Sequence, residues 1–233
     1  MSTRKRDIVI KESIMTLQKT LIVKALTASF DVDPQNGFSP LCPNELPVAG
    51  ATEIVDSLNK NATFAKYRIG SKDAHSPEAL WVATEENPQF SPVSGDNKNV
   101  DIHWVSHCNV GTFGFEFMSG LPKIEDYDFM VYKGLEKDMH PYGACYHDLN
   151  NKMSTGVIEY LKVNNVENVI VGGLATDYCV LNTAKQLKSA GFNVILNLES
   201  CRGIASETIE SAITEMKELD IVIIESTEQL ELV

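Results

Sequence analysis

Three polar residues that could carry out nucleophilic chemistry stand at or just after the ends of β-rich apolar runs. They are Asp33, Lys133 and Cys179. A carboxylate can accept the proton of a thiol, and a nearby ammonium group favours the thiolate. The three side chains could therefore supply a base, a cationic stabiliser and a nucleophile, if the fold brings them together.

Cys179 has two readings when it is considered alone. Thr176 is a plausible helix N-cap, which would place Cys179 in the first turn of a helix. Unpaired N–H groups and the helix dipole favour a thiolate there. Free cysteine is also among the most buried residue types, so an isolated Cys179 would be more simply a small core residue. The presence of Asp33 and Lys133 at other strand ends favours the interpretation of Cys179 as a nucleophile.

A second group of residues could bind a metal ion. Asp73 and His75 are two residues apart, which places both side chains on one face of an extended segment. A third ligand could come from His103 or His107. One carboxylate and two imidazoles suit Zn²⁺, Fe²⁺ or Mn²⁺ and can leave positions open for water or substrate. An Asp–His hydrogen bond on a loop is the competing interpretation.

The elements that must position these residues alternate along the chain. The predicted strands are 25–32, 64–70, 127–133, 167–175, 192–199 and 220–226, and the predicted helices are 51–62, 76–86, 153–165, 176–191 and 205–219. Such alternation predicts an α/β fold, with a three-layer, doubly wound and mostly parallel sheet covered by helices on both faces. Ligands bind outside the carboxyl ends of the strands in such sheets, which is where the polar residues lie.

Length and composition limit the possible functions. The 233 residues suit a single domain over 1–233, with an N-terminal extension at 1–20 and a loop insertion at 87–103. The net charge of −12 argues against nucleic acid and anionic membranes as partners. Five cysteines without a CxxC pair, no signal peptide and no membrane-length apolar run predict a cytoplasmic protein. No glycine motif for dinucleotide or phosphate binding occurs.

Five short motifs carry a resemblance to a known family. The segments "VDPQNGF", "DAHSP", "HCNVGTFG", "VYKG" and "GGLATDYCV" resemble, in order and rough spacing, those of the nicotinamidases among the isochorismatase-like cysteine hydrolases. The resemblance covers about residues 24–226. It implies an isochorismatase-like fold and the hydrolysis of nicotinamide to nicotinate and ammonia through a cysteine thioester, in NAD salvage. The D-x-H pair with a distal histidine separates nicotinamidases from isochorismatases, which resemble them but lack the metal.

The resemblance also implies roles for individual residues. The implied catalytic set is Asp33, Lys133 and Cys179, the oxyanion hole is formed by the N–H groups of Ala175 and Cys179, and the metal ligands are Asp73, His75 and His107. His107 is preferred to His103 because it fits the family pattern W-x-x-H-C. The implied cofactor is one divalent metal ion, zinc in the first place with iron or manganese as alternatives, which would orient the pyridine ring. The Leu174–Ala175 bond corresponds to one that is often cis.

The expected pocket is aromatic. Phe38 and Trp104 stand where the family's ring-packing aromatics lie, with ordinary packing as the alternative, and Tyr142 is expected to border the pocket. The expected partner is nicotinamide, and a homo-oligomer is possible.

The chain departs from the family pattern at three places. The usual motif D-x-Q-N-D-F has Gly37 at its second acidic position, at the cost of a local polar contact. The segment between His75 and His107 is expanded, which leaves a fourth protein ligand undetermined. The 135–147 loop is unusual, and its His140 and His147 are expected to be exposed loop histidines.

Two other functions compete with this interpretation. Another amide or ureide hydrolase of the same superfamily, such as an N-carbamoyl amidase, would share Asp33, Lys133 and Cys179 but would not need the metal ligands. A non-catalytic α/β module that binds a small ligand is the second rival. The complete Asp/Lys/Cys set argues against that module.

Overall fold

The computed structural model describes residues 19–96 and 98–233. Most of the predicted N-terminal extension therefore lies outside the described residues, and its last residue, Thr20, begins the first strand. The strands are β1 Thr20–Ile22, β2 Thr27–Val32, β3 Tyr67–Asp73, β4 Phe129–Lys133, β5 Asn168–Leu174, β6 Asn193–Arg202, β7 Val222–Ile224 and β8 Leu230–Leu232. The α-helices are α1 Val55–Thr63, α2 Val157–Val163, α3 Leu181–Ser189 and α4 Ser206–Glu218.

Six of the strands form one parallel sheet, as predicted. Their order is β4-β3-β2-β5-β6-β7. The chain builds outward from β2 in one direction through β3 and β4, and then returns to pair β5 on the other side of β2. The carboxyl ends of β2 and β5 thus flank the point where the winding reverses. Doubly wound sheets bind their ligands at such a point.

Helices cover one face of this sheet. Val169 and Val171 of β5 belong to a buried cluster that also holds Leu161 of α2, Leu187 of α3 and Met216 of α4. Side chains alternate between the faces of a strand, so Ile170 points to the opposite face. Strands covered on both faces are apolar almost throughout, which explains why each was recognisable as a continuous apolar run.

The opposite face is covered by α1 and by a small second sheet. Leu58 of α1 packs with Ile54 and Leu174, and Ile170 packs with Ile22 and Leu230. Ile22 and Leu230 come from β1 and β8, which pair in parallel and were not predicted. Each of these strands has only three residues, too few to show a periodic pattern. The three-layer prediction is confirmed, with this two-stranded sheet added to the layer that contains α1.

The predicted helix at 76–86 is wrong. The segment forms turns, and its backbone pairs with the residue that follows the insertion: Trp104 donates to the carbonyl of Trp81, and Ala83 donates to the carbonyl of Trp104. The Trp81 side chain is fully buried. Tertiary hydrogen bonds therefore replaced the helical ones, which sequence spacing could not reveal. Among the described residues, no helix combines the length and apolarity needed to cross a membrane.

Candidate active site

The parallel sheet brings the predicted polar residues to one rim. Asp33 directly follows β2, and Asp73 and Lys133 are the last residues of β3 and β4, where they are paired in register. Cys179 lies in the segment that follows β5. Asp33 has a φ of 46°, in the left-handed region that few non-glycine residues adopt. Strained backbone of this kind is concentrated at functional sites.

Lys133 is the centre of the site. Its Nζ lies 3.0 Å from Asp33 Oδ2 and 3.6 Å from Cys179 Sγ, and it also contacts Asp73 Oδ1. Asp33 Oδ1 accepts a hydrogen bond of 2.6 Å from Ser71 Oγ. Asp33 and Lys133 are fully buried. The structure therefore brings together all three residues of the predicted catalytic set.

Burial and charge set the protonation of this group. Burial raises the pKa of Asp33 to about 6, against the opposing effect of Lys133. Burial disfavours the Lys133 ammonium, but Asp33 and Asp73 outweigh it and hold the pKa of Lys133 well above its usual range. Burial also raises the pKa of the Cys179 thiol well above its usual range, although Lys133 lowers it. At rest the site holds a thiol beside a carboxylate that is a base near neutral pH.

The turn that carries Cys179 differs from the predicted one. Ala175 is the N-cap, Thr176–Val180 forms a π-helical turn, and α3 begins only at Leu181. Thr176 is therefore not the N-cap. Turns of the π type occur frequently at functional sites. The Asp177 carboxylate anchors the turn by accepting hydrogen bonds from the Ile204 backbone and the Thr208 hydroxyl.

The strand end before this turn has an unusual backbone. The Leu174–Ala175 peptide bond is cis, in line with the family resemblance. Gly173 has a φ of +133°, and a Cβ built there would lie 2.0 Å from the Val32 carbonyl oxygen. Only glycine fits this conformation and this close approach between β5 and β2.

The predicted metal ligands lie beside Asp33, Lys133 and Cys179. His75 Nε2 is 3.4 Å and His107 Nε2 is 3.7 Å from Asp73 Oδ2. The Nδ1 atoms of the two histidines lie 3.1 Å from the Gly134 carbonyl and 2.6 Å from the Val105 carbonyl. An Nδ1–H that donates to a carbonyl fixes the tautomer in which Nε2 carries the free lone pair.

His140 contradicts the expectation of an exposed loop histidine. It is buried, and it joins His75 and His107 in a cluster whose candidate ligand atoms all lie within 4.8 Å of one another. The 135–147 loop lies against the site, where the Pro141 carbonyl accepts from Lys133 Nζ at 3.2 Å. His147 lies outside the cluster and is half-buried. His103 is also buried but does not belong to the cluster.

This group of side chains fits a divalent metal ion. Among the described residues, His75 Nε2 and both ring nitrogens of His140 are buried without a hydrogen-bond partner. Burial lowers the pKa of His75 and of His140, so both imidazoles are neutral, which is the form that binds metals. Unpaired buried nitrogens are costly, and coordination by a metal would satisfy them.

A small pocket opens onto both groups. Its walls include all three predicted aromatic residues, Phe38, Trp104 and Tyr142, together with Cys179 and Ala175. Trp104 Nε1 donates to the Tyr142 hydroxyl at 3.2 Å, and that hydroxyl donates to Asp101 at 2.8 Å. The aromatic wall is therefore held in place by hydrogen bonds.

Several residues of the site escaped the sequence analysis. Ser71 holds Asp33, the Gln35 side chain bonds both backbone groups of Asp73, and Tyr178 lines the pocket. Gln35 and Tyr178 lie inside quoted motifs, but nothing in the pattern distinguishes them. His140 did offer a signal, because it lies in the loop that follows β4, at the ligand-binding rim of the sheet.

Glu45 occupies the space that an acidic side chain at position 37 would need. A Cβ built on Gly37 would lie 2.3 Å from Glu45 Oε2. The same oxygen accepts a hydrogen bond of 2.8 Å from the backbone N–H of Cys108, next to His107. A carboxylate therefore lies beside position 37, although it comes from another part of the chain.

The known proteins that are similar to this chain include nicotinamidases and pyrazinamidases. A nicotinamidase of Acinetobacter baylyi is 29% identical over 175 residues, which are 74% of this chain and 79% of that protein. The structure of an Acinetobacter baumanii nicotinamidase/pyrazinamidase is similar with a TM-score of 0.79 and 29% identity, over 88% of this chain and 98% of that one. A Pyrococcus horikoshii pyrazinamidase in complex with zinc gives a TM-score of 0.68 and 26% identity, over 85% of this chain and 98% of that one.

The family itself follows from a longer match. The model that describes the isochorismatase domain matches residues 27–229. That span begins with β2 and includes every strand of the six-stranded sheet and every residue of the site described above. The chain therefore belongs to the isochorismatase family.

Proposed function

We propose that this protein hydrolyses nicotinamide to nicotinate and ammonia through a thioester on Cys179. The observation that carries the proposal is the contact of one buried ammonium group, Lys133, with both Asp33 and Cys179 at the edge of an aromatic pocket. The nicotinamidases similar to this chain support the amide substrate.

The first half of the reaction forms the thioester. Asp33 accepts the proton of the Cys179 thiol, and the sulfur attacks the carboxamide carbon. The carbon–nitrogen bond then breaks, and Asp33 returns the proton to the leaving ammonia. Lys133 stabilises the ionised Asp33 and the thiolate that forms during transfer, because its Nζ contacts both.

The second half hydrolyses the thioester. Asp33 acts again as base, now toward water, and Cys179 leaves as a thiol. In both halves negative charge develops on the substrate oxygen. The backbone N–H groups of Ala175 and Cys179 are the proposed donors to it, where loss of one donor costs about 3–4 kcal/mol in a comparable site.

The metal ion has a separate task. Asp73, His75 and His107 would hold it, and zinc is the proposed ion, with iron or manganese as alternatives. When bound, it supplies a Lewis-acidic anchor for the pyridine nitrogen of the substrate. Phe38, Trp104 and Tyr142 would pack against the ring.

The amino-acid composition supports a cellular compartment for this reaction. We propose a single domain over 1–233 that acts in the cytoplasm, in NAD salvage, on a small neutral amide. The five cysteines, with no disulfide among the described residues, suit a reducing compartment.

The test is a coupled ammonia assay on nicotinamide, with metal analysis of the same sample. Cys179→Ala should abolish ammonia release and leave the circular dichroism spectrum unchanged. Cys42→Ala, which removes a partly exposed cysteine away from the pocket, is the matched control and should keep wild-type activity. Substantial turnover by Cys179→Ala would refute the nucleophile. Hydrolysis of N-carbamoyl amides in place of nicotinamide would instead support the rival amidase.

A further inference from the structure

One buried imidazole at the metal site has no role in the reaction proposed above. His140 is 4% exposed, and neither of its ring nitrogens has a hydrogen-bond partner among the described residues. A buried polar group left without a partner costs about 1–3 kcal/mol. Such a group calls for an explanation, and an absent ion is one of the recognised explanations.

The position of the ring limits what could satisfy it. The His140 ring centroid is 5.2 Å from that of His75 and 6.0 Å from that of His107. One candidate ligand atom from each of the three imidazoles lies within 4.8 Å of the others. The indole rings of Trp81 and Trp104, at 4.3 Å and 6.0 Å, enclose His140 and provide no hydrogen-bond acceptor for it.

The backbone around His140 is held from three directions. Its own N–H donates to the Asn99 carbonyl at 2.8 Å, and Trp81 Nε1 donates to the Met139 carbonyl at 3.2 Å. The Pro141 carbonyl accepts from Lys133 Nζ at 3.2 Å. The loop is thereby fixed to the insertion, to the 76–86 segment and to the catalytic lysine. A side chain fixed in this way is preorganised as a ligand.

We propose that His140 is a further ligand of the metal ion, so that the set is Asp73 with three histidines, His75, His107 and His140. The assignment rests on the metal site of the proposed function. His140 would be the fourth protein ligand, which the expanded segment between His75 and His107 left undetermined, and it lies in a different loop. Three imidazoles shift the donor set toward ions that prefer nitrogen, such as zinc, over ions that prefer oxygen only.

Metal titration of His140→Ala tests the assignment without any turnover. Metal-free protein is titrated with Zn²⁺ against a chromophoric chelator, and the Co²⁺-loaded protein is examined by visible absorption. His140→Ala should weaken Zn²⁺ binding by about 100-fold or more and change the Co²⁺ bands, because outer-shell losses alone cost about 10- to 100-fold. His147→Ala, which removes a histidine of the same loop outside the cluster, should leave both unchanged.

A second variant protects the test against misfolding. His140→Gln keeps a polar side chain without an imidazole, and its fold is checked in the metal-free state by circular dichroism. Zn²⁺ affinity within about threefold of the wild type, with unchanged Co²⁺ bands in both variants, would overturn the proposal. If Zn²⁺ affinity is unchanged but the KM for nicotinamide is raised, His140 contacts the substrate and not the metal. Tight, His140-dependent Zn²⁺ binding by a wild type that releases no ammonia would reject the proposed function and support the ligand.

Discussion

Replacement of Lys133 by methionine should be among the most damaging substitutions in the chain. The ammonium lies 3.0 Å from Asp33 Oδ2, with both side chains fully buried, and it also contacts Asp73. At that separation and an effective dielectric constant of about 20, the gross attraction to one carboxylate is about 5.5 kcal/mol. Desolvation of the ions offsets part of this, and removal of one partner from a buried pair typically costs about 3–5 kcal/mol.

The expected loss is therefore about 3–5 kcal/mol in the free energy of unfolding at pH 8, or a melting temperature lower by about 10 °C. Lys133 lowers the pKa of both neighbouring carboxyl groups, so without it the pKa of Asp33 would rise above about 6 and that of Asp73 would rise from well below its usual range. They bind protons as the pH falls, so the deficit should shrink between pH 8 and pH 5. Urea unfolding followed by circular dichroism measures both quantities.

Two comparisons make the result interpretable. Lys137→Met removes a lysine of similar size from the exposed pair with Glu78, and should cost no more than about 0.5 kcal/mol. The double variant Asp33→Asn/Lys133→Met should be more stable than the sum of the single effects predicts, by about 1 kcal/mol or more. A loss below about 1 kcal/mol for Lys133→Met, or strict additivity with Asp33→Asn, would refute the reasoning.

Three further predictions concern the base, the backbone and the metal. The kcat/KM for nicotinamide should fall below about pH 6, where Asp33 is protonated. Ser71→Ala removes a hydrogen bond that lowers the pKa of Asp33, so the acidic limb of the pH profile should move to higher pH. An acidic limb that does not move would contradict the role of Asp33. Gly173→Ala should strongly reduce the yield of folded protein because its Cβ would meet the Val32 carbonyl. Gly111→Ala also places a Cβ at a positive φ, +83°, but meets nothing within 4 Å, so it carries the backbone strain alone and should cost only about 1 kcal/mol; equal melting temperatures for the two variants would contradict the clash. Removal of metal by dialysis against a chelator should weaken nicotinamide binding in calorimetry, and added Zn²⁺ should restore it; unchanged affinity would show that metal does not anchor the ring.

The six-stranded sheet was predictable because its strands are buried on both faces and so form apolar runs separated by helical patterns. The positions of Asp33, Asp73 and Lys133 on one rim follow from the same reading, since parallel strands end at the same edge. The winding order then places β2 beside β5, and hence Asp33 near Cys179.

What the sequence could not reveal depends on contacts between distant segments. The 76–86 segment has helical spacing, but its hydrogen bonds go to Trp104 and to the 135–147 loop. The same loop carries His140 beside His75 and His107, with its Pro141 carbonyl bonded to Lys133 and its His140 N–H bonded to Asn99, which is distant in sequence and lies in an irregular region. Local patterns carry no information about such pairings.

The contact between Gly37 and Glu45 has a consequence for how this site can vary. An acidic residue at Gly37 would collide with Glu45, and loss of Glu45 alone would leave the Cys108 amide without its acceptor. Either single change is therefore unfavourable, and the effect of each should depend on which side chain stands at the other position. The two positions are therefore predicted to be epistatic, so a library of single substitutions would misjudge an acidic residue at position 37 that is tolerated once Glu45 has also changed.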